Sequence, residues 1–193
     1  MKTKKLYTVL VIGSAIGLVA SLLELLYKIA LLKTNTPVLA CTIPKVFSCH
    51  TALNAWQSSA FGFPNSIIAI VFFSITLGIG LVGLVSRRGS NVVTKDLRLV
   101  MQAISLLFLG FTFWYLAQSF FSIRSFCAYY LIGFAGLILV NDAWLREDVS
   151  QLPISRRDRK YLRHYIVKGA DILGCLLIVV AVIYIILLRH RCP

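Results

Sequence analysis

The most regular feature of the chain is a series of long apolar stretches separated by short polar segments. Five stretches are long enough to cross the roughly 30 Å hydrocarbon core of a bilayer as helices. They cover residues 6–32, 67–85, 99–121, 126–145 and 172–188. This pattern predicts an all-α integral membrane protein, with a four-helix transmembrane bundle and a fifth transmembrane helix.

The longest connection among the first four predicted spans covers residues 33–64. Connections of this length are usually functional. Within it, Leu53, Trp56 and Ala60 recur at helical spacing, whereas Gln57 lies elsewhere on the helical wheel. We predict a short amphipathic helix that lies flat on the bundle with its apolar side down. It could serve as an interfacial anchor through Trp56 or as a lid over a pocket.

The composition agrees with a membrane protein. Of the 193 residues, 59% are hydrophobic and 14% are charged, whereas soluble domains are about a quarter charged. The net charge of +13 would suggest a nucleic-acid ligand in a soluble protein. Here the basic residues follow the connections between spans, which argues against nucleic-acid binding and leaves membrane lipid as their partner.

The distribution of basic residues predicts the orientation of the spans. Fourteen of the 20 lysines and arginines precede the first span or lie in the second-to-third and fourth-to-fifth connections. Lysine and arginine mark the cytoplasmic side of a membrane protein. We therefore predict that the N-terminus is inside and that the 33–64 loop and the C-terminus are outside.

The cysteines are the main candidates for chemistry. Cys41 and Cys49 lie in the outer loop, where disulfides persist, and they could be either a structural staple or a redox-active pair. Cys127 opens the fourth span within reach of that loop, so thiol–disulfide exchange could pass between Cys49 and Cys127. Cys175 is typical of a small apolar residue in a span, and Cys192 is a leftover outside thiol.

Polar residues within the spans are fewer. Glu24 and Lys28 are four residues apart in the order that favours a helical ion pair, and we interpret them as a structural pair near the outer surface. Asn141 and Asp142 are expected to meet water at the cytoplasmic end of the fourth span. The absence of central charges from the spans disfavours a transporter, and the three histidines are too far apart in sequence to predict a metal site.

Several short motifs occur together around the outer loop and the fourth span. They are Cys41-x7-Cys49, Trp56-Gln57, Phe61-Gly62-Phe63-Pro64-Asn65 and Phe126-Cys127-Ala128-Tyr129. Together they resemble the vitamin K epoxide reductase family, in particular its bacterial branch. We accordingly divide the chain into a family-like four-helix membrane domain, 1–145, and a cytoplasmic connector with the fifth transmembrane helix, 146–193.

The resemblance implies a quinone-linked membrane thiol oxidoreductase of the bacterial cytoplasmic membrane, which supports disulfide formation outside the cytoplasm. A thioredoxin-like secreted or periplasmic partner would pass electrons to loop cysteines, and these would pass them to a bound quinone, either ubiquinone or menaquinone. By position, Cys41 and Cys49 match the family's loop pair. Cys127 matches the first cysteine of its CxxC motif.

Tyr130 stands where the resemblance places the second cysteine of CxxC. A phenol cannot form a disulfide, but it can donate a hydrogen bond to a quinone carbonyl, which makes Tyr130 a candidate cofactor-binding residue. The alternative is an interfacial aromatic beside Tyr129. At the level of function, the alternative is a degenerate, non-catalytic family member that binds a partner or a lipid-soluble ligand.

The predicted orientation can be tested by thiol labelling in intact cells. After reduction, a membrane-impermeant reagent should label Cys41, Cys49 and Cys192 and should spare Cys175, because the basic connections hold that end of the fifth span inside. Mass spectrometry of the labelled peptides would identify the sites. Labelling of Cys175 alone would reverse the orientation.

Overall fold

The computed structural model describes residues 2–34, 42–43, 47–86, 94–123 and 127–148. In chain order, the elements are α1 (Lys2–Thr34), β1 (Thr42–Ile43), β2 (Phe47–Ser48), α2 (Cys49–Asn54), a 3-10 turn (Trp56–Ser59), α3 (Ser66–Val85), α4 (Lys95–Gln118), a π-helical turn (Ser119–Ile123) and α5 (Ala128–Asp148). The predicted all-α membrane fold is confirmed.

Four helices in the described part of the chain, α1, α3, α4 and α5, are long and apolar enough to cross a membrane. They correspond to the first four predicted spans. The predicted fifth span, 172–188, lies outside the described residues, as do Cys41, Cys175 and Cys192.

The four long helices pack as a bundle in which α1 is central. It packs against both α3 and α5, and α4 packs against α5. The α1–α5 crossing brings the two backbones into close approach, because a Cβ atom on Gly136 would lie 2.7 Å from the Gly13 carbonyl oxygen and 2.8 Å from the Gly17 nitrogen. Small residues at such crossings let membrane helices pack backbone to backbone, where dispersion contacts replace the hydrophobic effect.

A buried polar cluster lies between α4 and α5, away from the loop end. The side-chain oxygen of Asn141 accepts hydrogen bonds from Gln102 Nε2 at 3.0 Å and from Ser105 Oγ at 3.4 Å. Asp142 Oδ1 accepts from Arg146 Nε at 2.7 Å, and both Asn141 and Asp142 are buried. The expectation that these two side chains meet water was therefore wrong, because donors on α4 and on the next turn of α5 take the place of water.

The loop end of the bundle holds the small elements. Residues Thr42–Ile43 and Phe47–Ser48 pair as an antiparallel hairpin, and α2 follows directly. The predicted single amphipathic helix is divided at Ala55, whose extended backbone (φ −65°, ψ 142°) separates α2 from the 3-10 turn. The register of the second piece therefore differs from the prediction. Trp56 is 67% exposed, whereas Gln57 and Ser58 are buried.

The α1–α5 contact provides a test of the fold. We expect Gly136→Ala to lower the free energy of unfolding by about 1–3 kcal/mol, because its Cβ would press on the α1 backbone. This corresponds to roughly 2–4 °C in Tm per kcal/mol, measured by thermal unfolding in detergent. The control is Gly110→Ala on α4, where an added Cβ meets nothing within 4 Å. Equal melting temperatures for both variants would contradict the close approach.

Candidate active site

The centre of the candidate site is a contact between two sulfur atoms. Cys49 is disulfide-bonded, and its Sγ lies 3.0 Å from the Sγ of Cys127, which is a free thiol. Cys49 is 0% exposed and Cys127 is 2% exposed. Both belong to a buried cluster with Tyr27, Leu31 and Leu53. A thiol in contact with a disulfide sulfur, shielded from other nucleophiles, has the arrangement that thiol–disulfide exchange needs.

Cys127 occupies the residue that caps the N-terminus of α5. Its carbonyl oxygen accepts from the Leu131 N–H at 3.3 Å, and its side chain receives hydrogen bonds from the backbone N–H groups of Tyr129 and Tyr130. Burial of Cys127, which is 2% exposed, nevertheless opposes formation of the charged thiolate. Cys127 is therefore a protonated thiol at neutral pH, and attack on Cys49 requires removal of its proton.

Two side chains from the bundle hold α2 in place. Lys28 Nζ on α1 donates to the Leu53 carbonyl oxygen, and to Ser58 Oγ at 3.0 Å. The Tyr115 hydroxyl on α4 donates to the Ala52 carbonyl oxygen at 3.1 Å. These carbonyls belong to the last turn of α2, where a helix leaves its acceptors unsatisfied and favours a cation. Because the last turn is held, Cys49 at the first residue of α2 is fixed against Cys127.

The hydrogen bonds from Lys28 to the loop change the interpretation of Glu24 and Lys28. The predicted ion pair between them is not formed in the described part of the chain, because Lys28 reaches across to the loop instead. The Glu24 carboxyl has no hydrogen bond or ion pair to any other described residue. It is partly buried and lines two cavities inside the bundle.

The two cavities lie side by side among α1, α3, α4 and α5. The loop-side cavity has a volume of about 150 Å³, and the mid-bundle cavity has about 70 Å³. Residues that line both are Glu24, Ala69, Phe108, Thr112 and Tyr130. The loop-side cavity is also lined by Phe61, Asn65, Ser66, Ile68, Leu107 and Phe111. Apolar walls with a few polar groups are typical of small-molecule sites.

Tyr130 forms part of the wall between the thiol pair and the cavities. It lies one helical turn from Cys127, and its ring packs on Tyr115 with a centroid distance of 4.6 Å. Its hydroxyl donates to the Thr112 carbonyl oxygen at 2.7 Å. The phenol proton is thus already engaged within the protein, and the phenol oxygen can act only as an acceptor toward a ligand in this arrangement.

The structure brings together three of the four predicted site residues. Cys49, Cys127 and Tyr130 lie at the loop end of the bundle, whereas Cys41 is outside the described residues. Glu24 and Asn65 also line the loop-side cavity, a role that was not predicted from the sequence. A carboxyl inside a span was a signal for Glu24. Asn65 was visible only as a motif residue, although its Oδ1 atom is buried without a hydrogen-bond partner in the described part of the chain.

The hold on α2 predicts how accessible Cys127 is. We expect Lys28→Met to speed alkylation of Cys127 by roughly ten- to a hundredfold, since a hydrogen-bonded charge contributes about 1.5–3 kcal/mol to keeping the loop closed. The rate would be measured by mass spectrometry in a Cys175→Ser, Cys192→Ser background. Lys33→Met, at an exposed lysine on the same helix, is the control. Equal rates in the two variants would show that Lys28 does not hold the loop.

Comparison with known proteins agrees with this architecture. The model of the vitamin K epoxide reductase family matches residues 8–141, which is more than half of the chain. Comparisons with curated proteins and with solved structures found no match. The matched segment contains all four described membrane-length helices in whole or in large part, together with the thiol pair and both cavities. The chain therefore belongs to the vitamin K epoxide reductase family, a membership that suggests a membrane thiol oxidoreductase.

Proposed function

We propose that this protein is a quinone-linked membrane thiol oxidoreductase that supports disulfide formation outside the cytoplasm. The observation that carries the proposal is the buried Cys127 thiol, 3.0 Å from the disulfide-bonded Cys49 and one helical turn from a cavity wall. Family membership supports the class of chemistry. The basic connections support a location of the thiol pair near the outer face of a bacterial cytoplasmic membrane.

We assign Cys41 as the disulfide partner of Cys49. The hairpin pairs Thr42 with Ser48 and Ile43 with Phe47. The same register, if continued by one residue, would set position 41 opposite Cys49. Directly opposed residues of an antiparallel pair have Cβ atoms about 4.5–5.5 Å apart, within adjustment of disulfide geometry. The hairpin thus supports the loop pair that the sequence suggested.

Burial of Cys49 determines which sulfur an external partner would attack. Because Cys49 is fully buried, a thiolate of a thioredoxin-like protein would bond to Cys41 Sγ and expel Cys49 as a thiolate. The partner's second thiolate then breaks the mixed disulfide. The partner leaves oxidised, and the loop retains two thiols. The oxidised partner can pass its disulfide to secreted proteins.

The reduced loop places a second thiol, Cys49, against Cys127. When this pair becomes a disulfide it gives up two electrons and two protons. Attack of the Cys41 thiolate on Cys49 Sγ then breaks the Cys49–Cys127 bond, restores the loop disulfide and returns Cys127 to its thiol. Three cysteines are therefore sufficient for a complete cycle, without a thiol at position 130.

We assign the loop-side cavity to the quinone ring, whether of ubiquinone or of menaquinone. A dry apolar cavity of about 150 Å³ accommodates one benzene ring. Phe61 and Leu107 line it and are exposed, so an isoprenoid tail could leave between α3 and α4 into lipid. Tyr130 would bound the ring as an apolar wall. A bound quinone supplies an acceptor for two electrons and two protons.

A second candidate function is a non-catalytic member that binds a partner or a lipid-soluble ligand. Tyr130 favours it, because its hydroxyl is engaged by Thr112 and it supplies no thiol to connect the Cys49–Cys127 pair with the cavity. This candidate keeps the bundle, the loop disulfide and the cavity. It differs from the first function because no electrons pass from the thiol pair to the bound ligand.

The two functions are separated by quinone reduction with a reduced thioredoxin-like partner. We expect slow reduction by the natural protein, loss of it in Cys127→Ser, and a rate at least about tenfold higher in Tyr130→Cys, since residues i and i+3 share a helix face and can bridge. Tyr129→Cys is the matched control, because i and i+2 do not face each other. Hydroquinone formation would be followed by absorbance.

Other outcomes of this experiment are also decisive. No reduction by the natural protein or by Tyr130→Cys, with the helical fold intact, would favour the non-catalytic function. Fast reduction by the natural protein that disappears in Cys192→Ser would make Cys192 the missing thiol and would overturn the three-cysteine cycle.

A further inference from the structure

We propose that the carboxyl group of Glu24 binds the head-group oxygen of a quinone in the loop-side cavity and delivers a proton to it. The inference rests on the proposed function and adds a catalytic residue on α1 that lies outside the cysteine relay. It starts from the cavity itself, since Glu24 contributes to the walls of both the loop-side and the mid-bundle cavity.

Three of the hydroxyls around the cavities already donate to the backbone. The hydroxyls of Tyr130, Thr112 and Ser21 donate to backbone carbonyls, at 2.7 Å to Thr112 O, 2.8 Å to Phe108 O and 2.8 Å to Gly17 O, respectively. Asn65 Nδ2 donates to the Gln57 carbonyl oxygen at 2.7 Å. A quinone oxygen is an acceptor, and these three hydroxyls cannot donate to it without breaking a bond. The second N–H of Asn65 and the hydroxyl of Ser66 can still donate to it, but neither an amide nor an aliphatic hydroxyl gives up a proton at neutral pH, as a carboxyl does.

The Glu24 carboxyl is available to bind a ligand, because Lys28 does not pair with it. Its natural partner by sequence, Lys28, is committed to the Leu53 carbonyl and to Ser58 Oγ on the loop. Within the described residues, the Glu24 carboxyl has no other ion pair or hydrogen bond. A carboxyl in a membrane span without a salt-bridge partner is costly, and such residues commonly mark proton pathways or substrate sites. When protonated, a carboxyl donates one hydrogen bond.

Reduction of a quinone in the cavity also requires a supply of protons. A thiol pair that closes to a disulfide releases two electrons and two protons, and a quinone that becomes a hydroquinone takes up two of each. Two protons must therefore enter the cavity, and its walls are mostly aromatic and aliphatic. Glu24 lines both cavities together with Tyr130, which lies one helical turn from Cys127. The carboxyl is reprotonated by a proton released from the thiol pair.

The test uses the full-length protein in detergent, in the natural and the Tyr130→Cys backgrounds, with short-chain ubiquinone and menaquinone as probes. We expect Glu24→Gln to bind them within roughly threefold of the natural affinity, since an amide still donates, and to reduce them roughly 10²-fold more slowly or worse, since it cannot transfer a proton. Glu24→Asp should recover part of the rate. Binding is read from quenching of Trp114, whose ring packs 5.3 Å from that of Phe111 in the cavity wall.

A spectroscopic readout is independent of turnover. The infrared carbonyl band of bound quinone should lie at lower frequency in the natural protein than in Glu24→Leu, where it should return to its position in an apolar solvent. Glu24→Leu should also bind roughly three- to tenfold more weakly, through loss of one hydrogen bond. The matched control is Ser14→Ala, at a buried hydroxyl on α1 that lines neither of the two cavities, which should leave the band and the rate unchanged. Ser66→Ala tests the hydroxyl that lines the loop-side cavity.

The outcomes separate this inference from the function beneath it. If neither the natural protein nor Tyr130→Cys binds or reduces a quinone, both the proposed function and the role of Glu24 are wrong. If quinone is bound and reduced and Glu24→Gln is as fast as its parent, only the role of Glu24 is overturned. A carbonyl band that shifts in Ser66→Ala and not in Glu24→Leu would overturn it equally, by assigning the donor to Ser66.

Discussion

The contact between Cys49 and Cys127 depends on two carbonyl oxygens at the end of a six-residue helix. A helix as short as α2 is not stable alone, and its last acceptors need donors from elsewhere. Lys28 from α1 and Tyr115 from α4 supply them. Because those two helices belong to the bundle, the loop sulfur is held with the rigidity of the membrane domain.

This arrangement also determines what surrounds the thiols. Once Lys28 is committed to the loop, Glu24 remains as a carboxyl on the inner side of the same helix, lining the cavities. Tyr115 connects the loop to Tyr130 by ring packing, and Tyr130 in turn closes the cavity wall. The loop contacts, the thiol pair and the cavity thus form one connected structure, in which a change at the loop reaches the cavity through two side chains.

Tyr130 sets the chemical character of the site. In place of a sulfur it contributes a ring, and its hydroxyl is held by the Thr112 carbonyl. In the proposed function, the electrons leave from Cys49 and Cys127, whose Sγ atoms lie 3.0 Å apart. In the proposed cycle, the disulfide forms one helical turn away from the cavity, and Glu24 on α1 supplies the proton within the cavity.

Much of the architecture followed from the sequence, because in a membrane the hydrophobic pattern and the required helix length leave few alternatives. The first four spans could be predicted in this way. The family resemblance came from the cysteine and loop motifs, and the proximity of Cys49 to Cys127 came from the position of Cys127 at the start of the fourth span. The division of the loop at Ala55 could not, since the buried side of that segment is decided by Ser58 and Lys28 rather than by its apolar residues. Neither could the burial of Asn141, which depends on partners 36 and 39 residues away.

The sequence by itself determined the class of the protein: four apolar stretches of membrane length, and cysteines placed where loop and span meet. Local composition is sufficient for this, because the bilayer selects helices by hydrophobicity and length. Only the tertiary structure decided the partners of individual polar groups. It paired Lys28 with the loop instead of with Glu24, engaged the Tyr130 hydroxyl and enclosed the cavity. A hydrogen bond in an apolar interior goes to whichever acceptor the fold brings within about 3 Å, and spacing along one helix does not reveal which acceptor that is.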